Sequence, residues 1–433
     1  MKNNSIVSGA LATALLWNAA ESFAPTHHST QTQQAASIIS LRSSILADDI
    51  VKGTSSSDKP PSTITDMKDG DIEAMMRNDN PPLPGTIMKM LPKDTFQVDT
   101  ATSLMYAGLD VTAVACSMSF LYAVVQSDFY HGLPIAAQAL TVAPLQILTG
   151  FAMWCTWCIG HDAGHGTVSK SPKVGKGINR IVGEITHSVI CLTPFVPWAL
   201  SHKKHHLNHN HLEKDYSHQW YVREEADELH PLIKASYYIR MVFFPFLYFI
   251  YLFAVPDGGH VLFYGRMWEG ESMKDKLDGA LSVAVSVATA GSLWYNMGTS
   301  DFAVVCMAPW TVMGFWLFMV TYLQHHSEDG KLYTDDTFTF EKGAFETVDR
   351  NYGELVNKLS HHMMDGHVIH HLFFTKVPHY RLHAATQALQ KGMKERGQDH
   401  LYKQIDTPNY TQEIIKQYYN NWFYVDEKNV VRE

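Results

Sequence analysis

The stretch Phe151-Ala-Met-Trp-Cys-Thr-Trp-Cys-Ile-Gly-His161-Asp-Ala-Gly-His165 decides the fold. An apolar run ends on two imidazoles four residues apart. On a helix that spacing puts both rings on one face. Two further clusters repeat the device: His202-Lys-Lys-His205-His206 and His367-Val-Ile-His370-His371. Eight imidazoles in three clusters can hold more than one metal ion, and no carboxylate or thiolate shares their spacing. Imidazole suits iron, zinc, copper and nickel. Each cluster lies just beyond an apolar segment, so the metal is expected at the edge of a bilayer.

Hydropathy sets the frame around the clusters. A transmembrane helix needs about 20 apolar residues, and four runs reach that length: 104–125, 134–159, 279–298 and 302–324. The last two are separated only by a few polar residues around Ser300 and Asp301, which predicts a hairpin. Segment 237–256 is aromatic and apolar but carries Arg240 and Pro245. Parity assigns it: if all clusters share one side of the membrane, 237–256 must lie in the interface or dip in and return. Charge agrees. Lys170, Lys173, Lys176, Arg180, Lys203, Lys204, Arg266, Lys274, Lys276 and Lys376 fall on the cluster side, whereas the short loops near His131 and Ser300 carry no Lys or Arg. This positive-inside pattern puts the clusters in cytosol or stroma. The expected fold class is therefore all-α and integral to the membrane, with four transmembrane helices, interfacial helices and a His-rich cap.

The mean hydropathy of -0.13 is low for such a protein, because a polar N-terminal tract and His-rich loops dilute it. The net charge of -9 excludes a nucleic-acid partner. Five cysteines give no disulfide framework, and Cys155-Thr-Trp-Cys158, inside an apolar run, reads as small apolar packing. Residues 1–22 read as a signal-like segment: Lys2 precedes the apolar stretch Ile6 to Ala20. The following Phe23-Ala-Pro resembles the bipartite plastid presequence of algae with secondary plastids; a plain signal anchor or a disordered tail is the alternative. Residues 23–98 read as transit peptide and disordered linker, 99–395 as the membrane domain and 396–433 as a C-terminal tail.

The other histidines sort by position. His325 and His326 end the last span on the cluster side, so one of them can complete the site; position favours His325. His209, His211, His361 and His362 read as supporting groups or solvated loop residues. Asp162, Asp215 and Asp365 read as carboxylates that orient a ligating ring through its other nitrogen, and Glu213 as a solvated charge. Asp110 is an ionisable group inside a span that the sequence leaves without a role. A zinc hydrolase needs three ligands and a water, fewer than are present here. Two irons with open positions could instead bind and reduce oxygen, with an acyl chain of the bilayer as substrate.

At these residues the chain resembles the membrane fatty acid desaturases, specifically the acyl-lipid methyl-end branch with Δ12 and ω3 members. The resemblance runs from about Leu104 to Met393 and includes Pro194-Phe-Val-Pro-Trp198-Ala-Leu-Ser-His202, Thr321-Tyr-Leu-Gln-His325-His326, Thr347-Val-Asp349-Arg350 and Val377-Pro378-His379-Tyr380. It implies two iron ions held by His161, His165, His202, His205, His206, His325, His367, His370 and His371. It further implies removal of two hydrogens from an acyl chain, using oxygen and two electrons. No His-Pro-Gly-Gly is present, so electrons are expected from a separate protein: ferredoxin at a plastid membrane, the favoured location, or cytochrome b5 at the endoplasmic reticulum.

Two details lean towards ω3 activity on linoleoyl lipid, with Δ12 activity on oleoyl lipid as the alternative. Asp162 follows the first His, where Δ12 members more often carry Glu, and Leu207-Asn-His209-Asn-His211-Leu-Glu213-Lys-Asp215 is similar to ω3 members. Ala163 in place of a common Cys, and Phe373-Phe-Thr-Lys376 in place of the usual Phe-Pro stretch, depart from the pattern. Hydroxylases and conjugases share the scaffold. A membrane metal transporter is the alternative from another class, but it would put ligand residues at the bilayer midplane, where these spans have few.

Overall fold

The computed structural model describes residues 79–215, 218, 220–228, 231, 251–253, 259–407, 409–414, 416 and 424–432. The signal-like segment 1–22, residues 23–78 and most of the interfacial segment expected over 237–256 lie outside the described residues.

Helix α1 (Pro84–Met90) starts on a proline, whose fixed φ suits a first turn. Its Ile87 is fully buried. Asp94 pairs with Arg381 at 2.5 Å, and Phe96 packs edge-on against Phe373. The disordered linker expected up to residue 98 is thus corrected for 84–98. Proline spacing reads as linker in sequence, but Ile87, Leu91 and Phe96 give the segment an apolar side to bury.

Helix α2 (Thr100–Val125) is capped by Asp99, whose carboxylate accepts from the Ala101 and Thr102 N–H groups. Helix α3 (Ile135–His165) runs back and stops at Gly166, whose φ of 70° supplies the left-handed cap. Both are long and apolar enough to cross a membrane. The third such stretch is Met273–His325, 53 residues. At about 1.5 Å per residue it would span roughly 80 Å, far more than a bilayer core of ~30 Å. It divides into α6 (Met273–Phe302), broken at Gly298 with φ 77° and ψ 166°, a π-turn at Ala303–Met307, and α7 (Ala308–His325). Ser282 of α6 bonds Glu184 and the Val196 N–H beside the second histidine cluster, and His325 ends α7 in that same neighbourhood. Asp301 instead accepts from Gln126 at the far end of α2. The chain therefore goes out and returns, as the predicted hairpin requires. Close approach of α3 and α7 depends on Gly150: a Cβ there would sit 2.5 Å from the Pro309 carbonyl oxygen and from the Val312 Cβ.

The segment between α3 and α6 adds a feature the sequence did not indicate. Helix α4 (Gly175–Gly183) continues as a π-helix, Glu184–Ile190, and after a short break turns by 109° into α5 (Phe195–Asn208). The pair is apolar enough to count as a broken span or re-entrant loop, so the described residues hold three membrane-length stretches, or four with this pair.

The cap is completed by α8 (His367–Phe373) and α9 (His379–Glu395). Three short two-stranded parallel pairs qualify the all-α expectation. They are β1 (Tyr221–Val222) with β5 (Tyr424–Val425), β2 (Leu332–Tyr333) with β6 (Val430–Val431), and β3 (Val348–Asn351) with β4 (Lys403–Asp406). The region 396–433, read as a tail, therefore supplies one strand to each pair. Ile87→Ala should destabilise the detergent-solubilised protein by about 2–5 kcal/mol, as large-to-small core changes do. A thermal unfolding midpoint equal to that of the parent would show that residues 84–98 contribute nothing to the fold.

Candidate metal centre

Each histidine cluster has members in the last turn of its helix. His165 ends α3, His205 and His206 lie in the last turn of α5, His325 ends α7, and His370 and His371 lie in the last turn of α8. The unsatisfied carbonyls and macrodipole of a helix C-terminus favour positive charge nearby. Four such ends meet at one place.

The imidazoles fall into two adjoining sets. In the first, the donor atoms of His161, His165, His202, His206 and His370 all lie within 4.8 Å of one another. The Nε2 atoms of His161 and His202 are 2.8 Å apart, those of His202 and His206 3.0 Å, and those of His206 and His370 3.1 Å. In the second, His325 Nε2 lies 3.3 Å from His205 Nε2 and 3.4 Å from His367 Nε2, and His371 joins His325 and His367 in one group. All nine expected residues are thus brought together. The neighbouring His326 is instead turned away, with Nδ1 on the Tyr322 carbonyl and its ring stacked on Tyr322.

Electrostatics suits a cation. Burial, then the crowd of neighbouring imidazoles, hold His367, His370 and His371 well below the usual histidine range, so they keep the free lone pairs that metals bind. Both ring nitrogens of His371 are buried without a hydrogen-bond partner. An orphaned buried polar group costs about 1–3 kcal/mol, and a cation at the centre of these lone pairs removes that cost. The residues therefore fit a metal, or two.

Carboxylates around the site behave in three ways. Asp215 Oδ1 lies 2.8 Å from His205 Nδ1, which leaves Nε2 facing the centre, as anticipated. Burial pushes the Asp215 carboxyl up, but the neighbouring His205 ring and its hydrogen bond hold it below the usual carboxylate range. Asp162 departs from expectation. Its Oδ2 accepts from both the backbone N–H and Nδ1 of His379, 2.8 and 2.9 Å away, while His161 Nδ1 is 3.9 Å from Oδ1. It chiefly ties α3 to the start of α9. Asp365 pairs with His362, not with a ring of the third cluster.

Several functional groups carried no role in the sequence. Asp349 accepts the Val368 N–H at 2.9 Å and the Tyr402 hydroxyl, and so fixes the start of α8. Buried Arg350 donates to the Leu323 and His326 carbonyls and to Glu413, closing the end of α7. Asp110 accepts from His361 Nε2 at 2.6 Å, and the His361 ring packs on that of His379. Only the motif Thr347-Val-Asp349-Arg350 signalled any of this. Beside the imidazoles lies a cavity walled by Trp154, Trp157, Cys158, Trp198, Leu317, Phe318 and Met363, into which His161, His202, His205, His325 and His367 open. Gly160 permits the close packing behind it: a Cβ would meet the His187 ring at 2.3 Å.

Burial pushes the Asp349 carboxyl up to about 7 from an ordinary 3.8, against the hydrogen bonds from Tyr402 and the α8 backbone. The folded state then keeps a proton that the unfolded chain releases. This contribution to stability is full below about pH 4 and is lost as pH rises through about 7. Asp349→Asn should flatten the fall in unfolding midpoint between about pH 5 and 7. A variant with the same slope as the parent would mean that Asp349 does not titrate in that window.

Residues 137–403 match the fatty acid desaturase family. Delta(12) fatty acid desaturase fat-2 of Caenorhabditis elegans is 30% identical over 324 residues, covering 72% of this chain and 81% of the relative. The sn-1 acyl-lipid omega-3 desaturase (ferredoxin) of a Synechocystis species is 31% identical over 348 residues, 78% of this chain and 88% of its own. The acyl-lipid omega-3 desaturase (cytochrome b5) of the endoplasmic reticulum of Arabidopsis thaliana is 31% identical over 311 residues, covering 70% and 75%.

Proposed function

This chain belongs to the membrane fatty acid desaturases of the methyl-end ω3/Δ12 group, oxygen-dependent oxidoreductases, and from that premise we propose that it inserts a cis double bond on the methyl side of the Δ12 bond of linoleoyl lipid. The observation that carries the chemistry is the pair of imidazole sets opening onto an apolar cavity. The reaction balances as –CH2–CH2– plus O2, two electrons and two protons giving –CH=CH– and two waters.

We assign the metal as two irons. His161, His165, His202, His206 and His370 would hold one, and His205, His325, His367 and His371 the other. Five imidazoles in one set exceed the four that zinc takes. Iron bound there would supply the activation of oxygen that cleavage of an unactivated C–H bond requires.

The protein's own residues do the rest. Trp154, Trp157, Trp198, Leu317, Phe318 and Met363 bind the acyl chain by apolar contact and keep bulk water from the reacting carbons. Position along that cavity decides which carbon faces the imidazoles, and a shift of about 1 Å is enough to misplace it. Asp215 holds His205 in one tautomer, and Asp349 and Arg350 fix the helix ends that carry His367 and His325. Electrons come from a separate donor. Relatives are named for ferredoxin and for cytochrome b5; we favour ferredoxin and a plastid membrane, in keeping with the Phe23-Ala-Pro presequence reading. The Asp162 and Asn208–His211 sequence context supports ω3 selectivity, with Δ12 action on oleoyl lipid as the second reading.

Expression in a desaturase-free host fed linoleate alone or oleate alone tests the assignment. Triene from linoleate, and no diene from oleate, is expected. Diene from oleate without triene from linoleate makes the enzyme a Δ12 desaturase. Changing His161, His202, His206, His367 or His371 to Ala should abolish product while leaving membrane insertion intact; retained activity in several of these variants would remove them from the metal's ligands.

A further inference from the structure

Asp365 stands just before the third histidine cluster, yet it faces two imidazoles outside all three clusters. Its Oδ2 lies 3.1 Å from His362 Nδ1 and 3.7 Å from His383 Nδ1. The donor atoms of His362, Asp365 and His383 all lie within 4.8 Å of one another, and the group shares no residue with the two imidazole sets described above.

The local chain builds this group in two layers. The short helix Glu354–Leu359 is followed by two consecutive left-handed residues, His361 at φ 56° and His362 at φ 57°. Non-glycine residues adopt that region rarely. The turn carries His361 inward, with Nε2 on Asp110, and leaves His362 partly exposed. Helix α9 meets both in step. His379 packs on His361, and His383, one turn later, packs on His362, with ring centroids 4.6 and 4.5 Å apart. Gly366 permits the close approach: a Cβ there would fall 2.9 Å from the His362 carbonyl oxygen and 3.0 Å from the Leu382 Cβ. Gln387, a further turn along α9, engages His383 Nε2 at 2.9 Å, so Nδ1 is the nitrogen left facing Asp365.

The chemistry selects the ion. Zinc binds imidazole nitrogen and carboxylate oxygen at about 2.0–2.2 Å in a tetrahedron, which sets its ligand atoms about 3.4 Å apart. The two Asp365 contacts, 3.1 and 3.7 Å, lie on either side of that value. Two imidazoles and one carboxylate leave a fourth position for water. Magnesium and calcium, which take oxygen ligands, are poorly served by this set. An ion pair of Asp365 with His362 needs no second imidazole on the same oxygen, whereas a shared cation does.

We propose that His362, Asp365 and His383 form a zinc site, separate from the nine-histidine centre, that staples the entry of α8 to α9. The test is zinc content and thermal midpoint of the purified full-length protein after equilibration with Zn2+ or Mg2+, parent against His383→Ala, His362→Asn and Gln387→Ala. Asparagine tolerates left-handed torsions, so His362→Asn keeps the turn. At equal iron content, the parent should hold one zinc more than His383→Ala or His362→Asn. Zinc should raise the parent's midpoint by a few degrees and leave those two variants unmoved. Gln387→Ala should bind the zinc about 10-fold more weakly, as loss of an outer-shell partner does. Mg2+ should produce neither effect. Equal zinc in the parent and both ligand variants would overturn the proposal, as would a response to Mg2+ matching that to Zn2+. Loss of iron together with zinc in His383→Ala would overturn it too, by placing the effect at the nine-histidine centre. Bound zinc without a rise in midpoint would overturn the staple. The difference in zinc between parent and variants stands whatever metal the nine histidines hold, so the di-iron reading can fail without this one.

Discussion

The structure depends on burying nine imidazoles with their ring nitrogens facing one another near the ends of four helices. Such an arrangement is unfavourable on its own. Lone pairs repel, buried nitrogens go unsatisfied, and four helix C-termini add negative potential. Each term changes sign when a divalent cation occupies the centre. Helix ends, carboxylates and imidazoles would then work together, and a bound metal would contribute to folding as well as to chemistry.

That requirement explains the arrangement around it. Helices α3 and α7 must end at the same depth and close to each other, which Gly150 allows by letting their backbones approach. The return at Gly298 brings α7 back to the cluster side. The third cluster is not on a span at all, so α8 needs its own anchors. Asp349 holds its first turn, and Asp162 ties the start of α9 to α3. The apolar cavity lies directly beside the rings.

Much of this was legible in sequence because two periodicities carried it. Apolar runs of about 20 residues mark spans, and His spacings of three and four mark one helix face. Parity and Lys/Arg distribution then put the clusters on one side. Position favoured His325 over His326, and in the structure the His326 ring is engaged by Tyr322. Contacts between residues distant in sequence were not legible. Asp110 looked like a stray charge in a span, and only the fold supplies His361, 251 positions away, as its partner. Asp162 looked like an orienter of its neighbour, yet its stronger bonds go to His379. Residues 84–98 and 396–433 read as linker and tail because Pro and charge dominate them, whereas a few apolar side chains and strand partners suffice to pack them. The bend between α4 and α5 depends on tertiary contacts such as that of Ser282 with Glu184.

The central claim is that imidazoles alone hold a pair of irons. Iron K-edge X-ray absorption on the purified full-length enzyme tests it directly. The account predicts an iron edge, a first shell of light nitrogen and oxygen scatterers with the outer-shell pattern of several imidazoles per iron, and no sulfur. A sulfur shell, or a protein carrying zinc with no iron, would contradict it.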